Sequence, residues 1–174
     1  MLNIINKIFS STKNLNIINN RFTKLRRETN VEKIFNAIES YSNEAEIRYV
    51  GGCVRKIINN EKVDDIDLAT NIDPTKVKEA LENKNIKYFE TGIEHGTITA
   101  LIENDKFEIT SLRSDIKTDG RHAEIKFTTD WIKDAERRDF TINSIYADID
   151  GNLFDPFDGK NDLANGLVKF VGDP

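Results

Sequence analysis

The stretch Tyr49-Val50-Gly51-Gly52-Cys53-Val54-Arg55, continuing to Asp64-Asp65-Ile66-Asp67-Leu68-Ala69-Thr70, reads as strand, glycine turn, short helix, loop and second strand. Ile47, Tyr49 and Val50 supply the first apolar run, and Val54, Ile57 and Ile58 give a helical spacing. Gly51 and Gly52 let the backbone turn tightly and leave room for a bulky group beside the amide row. A helix that opens just after two glycines has unpaired N–H groups and a positive dipole end, which suit an anion. Arg55, in the first turn, is placed to hold a phosphate.

On the second strand side chains alternate faces, so Asp65 and Asp67 point one way while Ile66 and Leu68 point to the core. Two carboxylates about 7 Å apart on one strand face offer hard oxygen ligands to a divalent cation such as Mg²⁺ beside a polyphosphate. Either element alone reads as a turn or a solvated acidic edge. In tandem, a phosphate cradle and a paired-carboxylate strand point to metal-assisted nucleotidyl transfer.

Working outward, Thr29 and Glu32 have capping-box spacing ahead of a helix carrying Val31, Ile34, Phe35, Ile38 and Tyr41. Asp73-Pro74 starts another helix, with Asp73 as cap and Val77, Ala80 and Leu81 as its buried stripe. Ile86–Phe89 reads as a strand. Thr97–Ile102 and Lys106–Leu112 read as a hairpin turning at Asn104-Asp105. Glu108 alternates with Phe107 and Ile109, and on a neighbouring strand it would complete a three-carboxylate site with Asp65 and Asp67. Ser114–Ala123 is polar and reads as a mobile loop, followed by a short strand at Ile125 and Phe127 and a helix capped by Asp130. Arg138, Asp139 and Asn143 have the spacing to share one helical face. Tyr146–Ile149 and Leu153–Phe154 read as a hairpin, and Leu167–Val171 as a last strand. His95 and His122 are the only histidines and have no cysteine beside them, which argues against zinc.

The chain has 174 residues, 38% hydrophobic and 32% charged, enough for one domain with a proper core. No stretch is long and apolar enough to span a membrane. The single cysteine, Cys53, excludes an internal disulfide, fits a reducing compartment and reads as a core residue. Residues 1–28 stand apart as a basic arm. Lys7, Lys13, Arg21, Lys24, Arg26 and Arg27 precede the first acid, Glu28, and Leu2, Ile4, Ile5, Ile8 and Phe9 form an apolar stripe. These are marks of an organellar transit peptide; the alternative is a basic arm that touches RNA. Removing those six charges from a net −5 leaves −11 for residues 28–174, which is not a surface built to grip nucleic acid unaided.

Gly-Gly-x-Val-Arg, Asp-Ile-Asp, Glu-Ile-Thr-Ser-Leu-Arg, Asp-Gly-Arg-His-Ala-Glu and Arg-Arg-Asp-Phe-Thr-Ile-Asn occur here in the order that resembles the class II tRNA nucleotidyltransferases, the CCA-adding enzymes. The resemblance covers about residues 46–173, is nearest to the eukaryotic and mitochondrial branch, and extends to the head domain of bacterial poly(A) polymerases. It implies an α/β (α+β) fold, the polymerase-β-like nucleotidyltransferase head over residues 29–174, with a mixed β-sheet and helices on one side. It also implies addition of CMP and AMP from CTP and ATP to the tRNA 3′ end. Gly51, Gly52 and Arg55 resemble the triphosphate-holding motif, Asp65 and Asp67 the Mg²⁺ ligands, and Glu108 the third carboxylate. Asp119, Gly120, Arg121 and His122 resemble the flexible loop tied to the switch from C to A addition, and Arg138, Asp139 and Asn143 the motif that reads the ribose and nucleotide. The implied location is mitochondrial, with a cytoplasmic pool as the second.

Two departures stand out. Lys56 replaces the Asp that usually follows the motif's arginine, which either strengthens phosphate attraction or removes a partner of Arg55. The sequence stops at Pro174, before the helical neck, body and tail of the family. The expectation is intact site chemistry with poor base selection and tRNA grip, the chain being either a truncated gene product or the head half of a split enzyme whose helical part is a separate chain. Alternatives are a non-catalytic remnant that binds NTP or a partner, and poly(A) addition.

Overall fold

A computed structural model describes residues 16–116 and 124–172. Its elements are α1 (16–28), α2 (Val31–Glu39), β1 (Ile47–Val50), α3 (Gly52–Ile58), β2 (Ile66–Thr70), α4 (Pro74–Glu82) and β3 (Lys87–Gly92), then β4 (Thr97–Ile102), β5 (Asp105–Ser111), β6 (Arg113–Ile116), β7 (Glu124–Phe127), α5 (Trp131–Glu136), β8 (Tyr146–Ala147), β9 (Leu153–Phe154) and α6 (Gly159–Ala164). Short 3₁₀ turns lie at Ile93–His95 and Thr141–Asn143.

Seven strands form one mixed sheet in the order β3-β4-β5-β2-β1-β8-β9, and β6 and β7 form a separate ribbon. Only β2 and β5 pair in parallel; the other neighbours are antiparallel. The period of two sorts the faces. Ile66, Leu68, Phe107 and Ile109 point into a core closed by α1 to α4. Val50, Ala69 and Tyr146 point the other way, into a smaller cluster with Ala135 of α5. The helices are therefore not confined to one side: α5 covers the β1–β8 end of the second face, and the part carrying Asp67 and Glu108 stays open.

The basic arm does not end at residue 28 as a separate unit. Its described part, α1, buries Ile18 and Phe22 in the main core, and the Phe22 ring lies 5.1 Å from that of Tyr49. Two of its cations have structural partners. Arg21 donates to the carbonyls of Ile57 and Ile58 at 3.1 and 2.7 Å, capping the C-terminus of α3 where a positive charge is favoured. Arg26 pairs with Glu32 and with Asp150. That first pair displaces the expected capping box. The Thr29 hydroxyl instead donates to the Leu25 carbonyl at 2.8 Å at the end of α1, and α2 has no side-chain cap.

The caps at Asp73 and Asp130 form as expected, each carboxylate accepting amide hydrogens from the first turn. Leu167–Val171 is not a strand. It makes one antiparallel bridge, Phe140 to Phe170, and leaves Val168 and Phe170 exposed. Cys53 is buried as read: its Sγ lies 3.3 Å from the Val50 carbonyl, and burial pushes the thiol up to about 12. Among the described residues no helix is long and apolar enough to cross a membrane.

Candidate active site

β1 ends against the glycine turn. Gly51 has φ +68° and ψ −131°, a conformation L side chains rarely adopt, and its amide donates to the Ile145 carbonyl at 3.3 Å. α3 then starts at Gly52, and one turn on Arg55 donates to Asn143 Oδ1. The first and last of the sequence-predicted nucleotide motifs, far apart in the chain, are thus joined by one hydrogen bond.

A cavity of about 480 Å³ opens over this junction. Gly51, Gly52 and Arg55 form one wall, Asp67 and Glu108 the floor, and Arg138, Asp139 and Asn143 a second wall. Asp67 of β2 stands opposite Glu108 of β5 in the parallel register. The Asp67 carboxyl is pushed above the usual carboxylate range by burial, then by Glu108 and Asp65; Arg138 and Lys56 pull it back. Asp65 falls just before β2, is exposed, and does not line the cavity, although its charge reaches Asp67. The three carboxylates are therefore not a preformed cage: no three His, Cys, Asp or Glu side chains among the described residues stand close enough together to hold a metal ion. A cation at Asp67 would offset the repulsion that raises its carboxyl, and the donors are hard oxygens, so the residues fit an ion whose shell is completed from elsewhere.

Arg138, Asp139 and Asn143 meet at the cavity but not along one helix. α5 stops at Glu136, and a separate 3₁₀ turn carries Asn143. Asn143 Nδ2 donates to Asp139 Oδ1 at 3.1 Å, whereas Arg138 turns toward Asp134 and Tyr146. Asp119, Gly120, Arg121 and His122 lie outside the described residues; β6 and β7, which flank them, pair from Arg113↔Phe127 to Ile116↔Glu124.

The sequence reading assigned no site role to several residues of the cavity. His95, Thr97, Thr110, Arg113 and Arg137 also line it. Thr97 and Thr110 share a hydroxyl hydrogen bond of 2.9 Å across β4 and β5. The carbonyl of His95 accepts from Arg113 Nη1 at 3.3 Å. Lys56, whose effect was left open, does not line the cavity: its Nζ lies 3.7 Å from Asp64, and its charge still reaches Asp67. Arg55 keeps a partner in Asn143 instead.

A mixed sheet with two carboxylates on its open face beside a glycine turn is the arrangement of a nucleotidyltransferase head. Residues 47–169 match the family described as the poly A polymerase head domain, and the chain belongs to that family. It is 54% identical over 128 residues to the mitochondrial CCA tRNA nucleotidyltransferase 1 of Homo sapiens, covering 73% of this chain and 30% of that protein. Against the CCA-adding enzyme of Lactobacillus johnsonii the identity is 40% over 134 residues, covering 75% and 33%. The fold superposes on the Bacillus stearothermophilus CCA-adding enzyme in complex with CTP with a TM-score of 0.70 and 26% identity, covering 80% of this chain and 32% of that one. The chain thus spans about a third of the length of the relatives it matches.

Proposed function

We propose that this chain is the catalytic head of a template-independent nucleotidyltransferase that adds CMP and AMP from CTP and ATP to the 3′ end of tRNA. The observation that carries the reading is the floor of the cavity: Asp67 and Glu108 side by side on the open sheet face, facing the Gly51–Gly52 turn and the Arg55–Asn143 pair. Relatives named for CCA addition, and neighbours solved with CTP and with a primer tRNA and an ATP analogue, support it.

The residues divide the work by charge. The Gly51–Gly52 turn and Arg55 bind the triphosphate, neutralising the pyrophosphate as it leaves. Arg138, Asp139 and Asn143 bind the ribose and orient the α-phosphate toward the acceptor. Glu108 takes the proton of the tRNA 3′ hydroxyl as that oxygen bonds to the α-phosphate. Asp67, with Asp65 at the strand start, would hold Mg²⁺. When bound, the ion supplies Lewis-acid polarisation and lowers the cost of ionising the hydroxyl. The mitochondrial names of the human, mouse and zebrafish relatives support a mitochondrial location.

The test is the sequence of the product. Incubation of tRNA lacking its 3′ CCA with both nucleotides and Mg²⁺ is expected to yield cytidine before adenosine. A run of adenosine made from ATP alone would instead assign poly(A) addition.

A further inference from the structure

Asp134 is 1% exposed and lies outside the cavity lining, yet its carboxylate takes four hydrogen bonds. Oδ1 accepts from the Arg113 amide at 3.1 Å and from Arg137 Nε at 3.0 Å. Oδ2 accepts from Tyr146 Oη–H at 2.7 Å and from Arg138 Nη2 at 3.2 Å. The Tyr146 hydroxyl also accepts from Arg138 Nε at 3.0 Å, so the Nε–Nη2 edge of Arg138 is gripped by two neighbouring oxygens. All three arginines line the cavity.

A planar guanidinium fixed along one edge has its other nitrogen fixed too. Arg138 Nη1 lies 3.8 Å from the position a Cβ on Gly51 would take, so the free end of the fork faces the glycine turn. A buried ion pair adds little net stability compared with apolar packing of the same volume, because both charges lose their water. Its value here is aim.

We propose that Asp134 is a positioning residue of the nucleotide site. With the Tyr146 hydroxyl it clamps Arg138 so that Nη1 stands beside the Gly51–Gly52 turn, and it holds Arg137 and the Arg113 backbone at the same rim. This inference rests on the reading that the cavity binds a nucleoside triphosphate.

A double-mutant cycle separates aim from mere packing. CTP affinity is titrated with Mg²⁺ for the wild-type chain, Asp134→Asn, Arg138→Gln and the pair, with thermal unfolding of each. Asp134→Asn is expected to weaken CTP binding about tenfold in the wild-type background and to change it less than about twofold once Arg138 is Gln. Equal losses in both backgrounds would overturn the inference, leaving Asp134 a support of the fold. If Asp134→Asn does not fold, Tyr146→Phe runs the same cycle, and additivity there overturns it equally. A wild-type chain that binds no CTP or ATP would overturn the functional reading, and the inference with it.

Discussion

Asp67 stands directly opposite Glu108 across the one parallel pairing of the main sheet, β2 against β5. Parallel register keeps their side chains on the same face, and that face is the part α5 leaves open. The pair is held together against its own repulsion, which is what a site for a cationic or phosphate-bound ion requires.

That repulsion gives a first expected outcome. Asp67→Asn removes a half-buried charge whose carboxyl is already pushed up by burial and by Glu108. Without divalent metal, unfolding of this variant is expected about 1 kcal/mol later than wild type, roughly 2–4 °C in midpoint. Its nucleotide incorporation is expected to fall by at least about 10²–10³-fold. A variant both less stable and inactive would mean that Asp67 supports the fold rather than the site.

The two glycines are expected to behave differently. Gly51→Ala forces φ +68° on a residue with a Cβ and should cost about 1–2 kcal/mol or more, measured by denaturant unfolding. A Cβ at Gly52 meets only Arg55 Nη2, at 3.9 Å, and the residue is helical. Gly52→Ala should therefore leave stability unchanged or raise it by about 0.5–1 kcal/mol. Its loss should appear as weaker CTP binding, because the methyl group enters the cavity wall.

Asp134 sets an acid limit on the fold. Burial alone would raise its carboxyl, but Arg138, Arg137, the Tyr146 hydroxyl and the Arg113 amide outweigh it and hold it below the ordinary value of 3.8. A lowered carboxyl stabilises the folded state fully above its unfolded pKa and loses that contribution as pH falls through its folded one. Wild-type stability should therefore drop as pH falls below about 4, and the Asp134→Asn curve should be flatter there. Asp134→Ala, which strands two partly buried arginines, is expected to cost about 3–5 kcal/mol at neutral pH.

α1 tests where the folded unit starts. Phe22 is fully buried against Tyr49, so Phe22→Ala should cost about 3–5 kcal/mol. A chain that begins at residue 29 should fail to fold cooperatively by circular dichroism. Any removed leader would then have to end before α1.

The sequence showed most clearly what is local. β1, the glycine turn, α3 and β2 follow from one apolar pattern and two glycines, and the caps at Asp73 and Asp130 follow from one residue each. Arg55, Asp67, Glu108 and Asn143 were legible as motif residues, and the fold brings them together. What long-range contacts decide was not legible. The positive charge of residues 1–28 hid the fact that Arg21 and Arg26 have partners in α3, α2 and the Asp148–Asn152 turn. The apolar run Leu167–Val171 has strand composition but, lying beside the short Asp139–Thr141 segment with a single bridge at Phe140, joins no sheet. Asp134 lies three and four residues before Arg137 and Arg138 on a capped helix, a spacing that pairs charges. That spacing was the available signal, but burial, not spacing, gives it weight.

The most direct measurement is single-turnover incorporation of labelled CMP into tRNA lacking its 3′ CCA, in Mg²⁺, by wild-type chain and by Asp67→Asn and Glu108→Gln. The expected result is incorporation by wild type and none above background by either variant. A folded wild-type chain that incorporates no more than the two variants, both alone and with the purified helical part of a related enzyme added, would contradict a catalytic role for this carboxylate pair and favour a non-catalytic remnant.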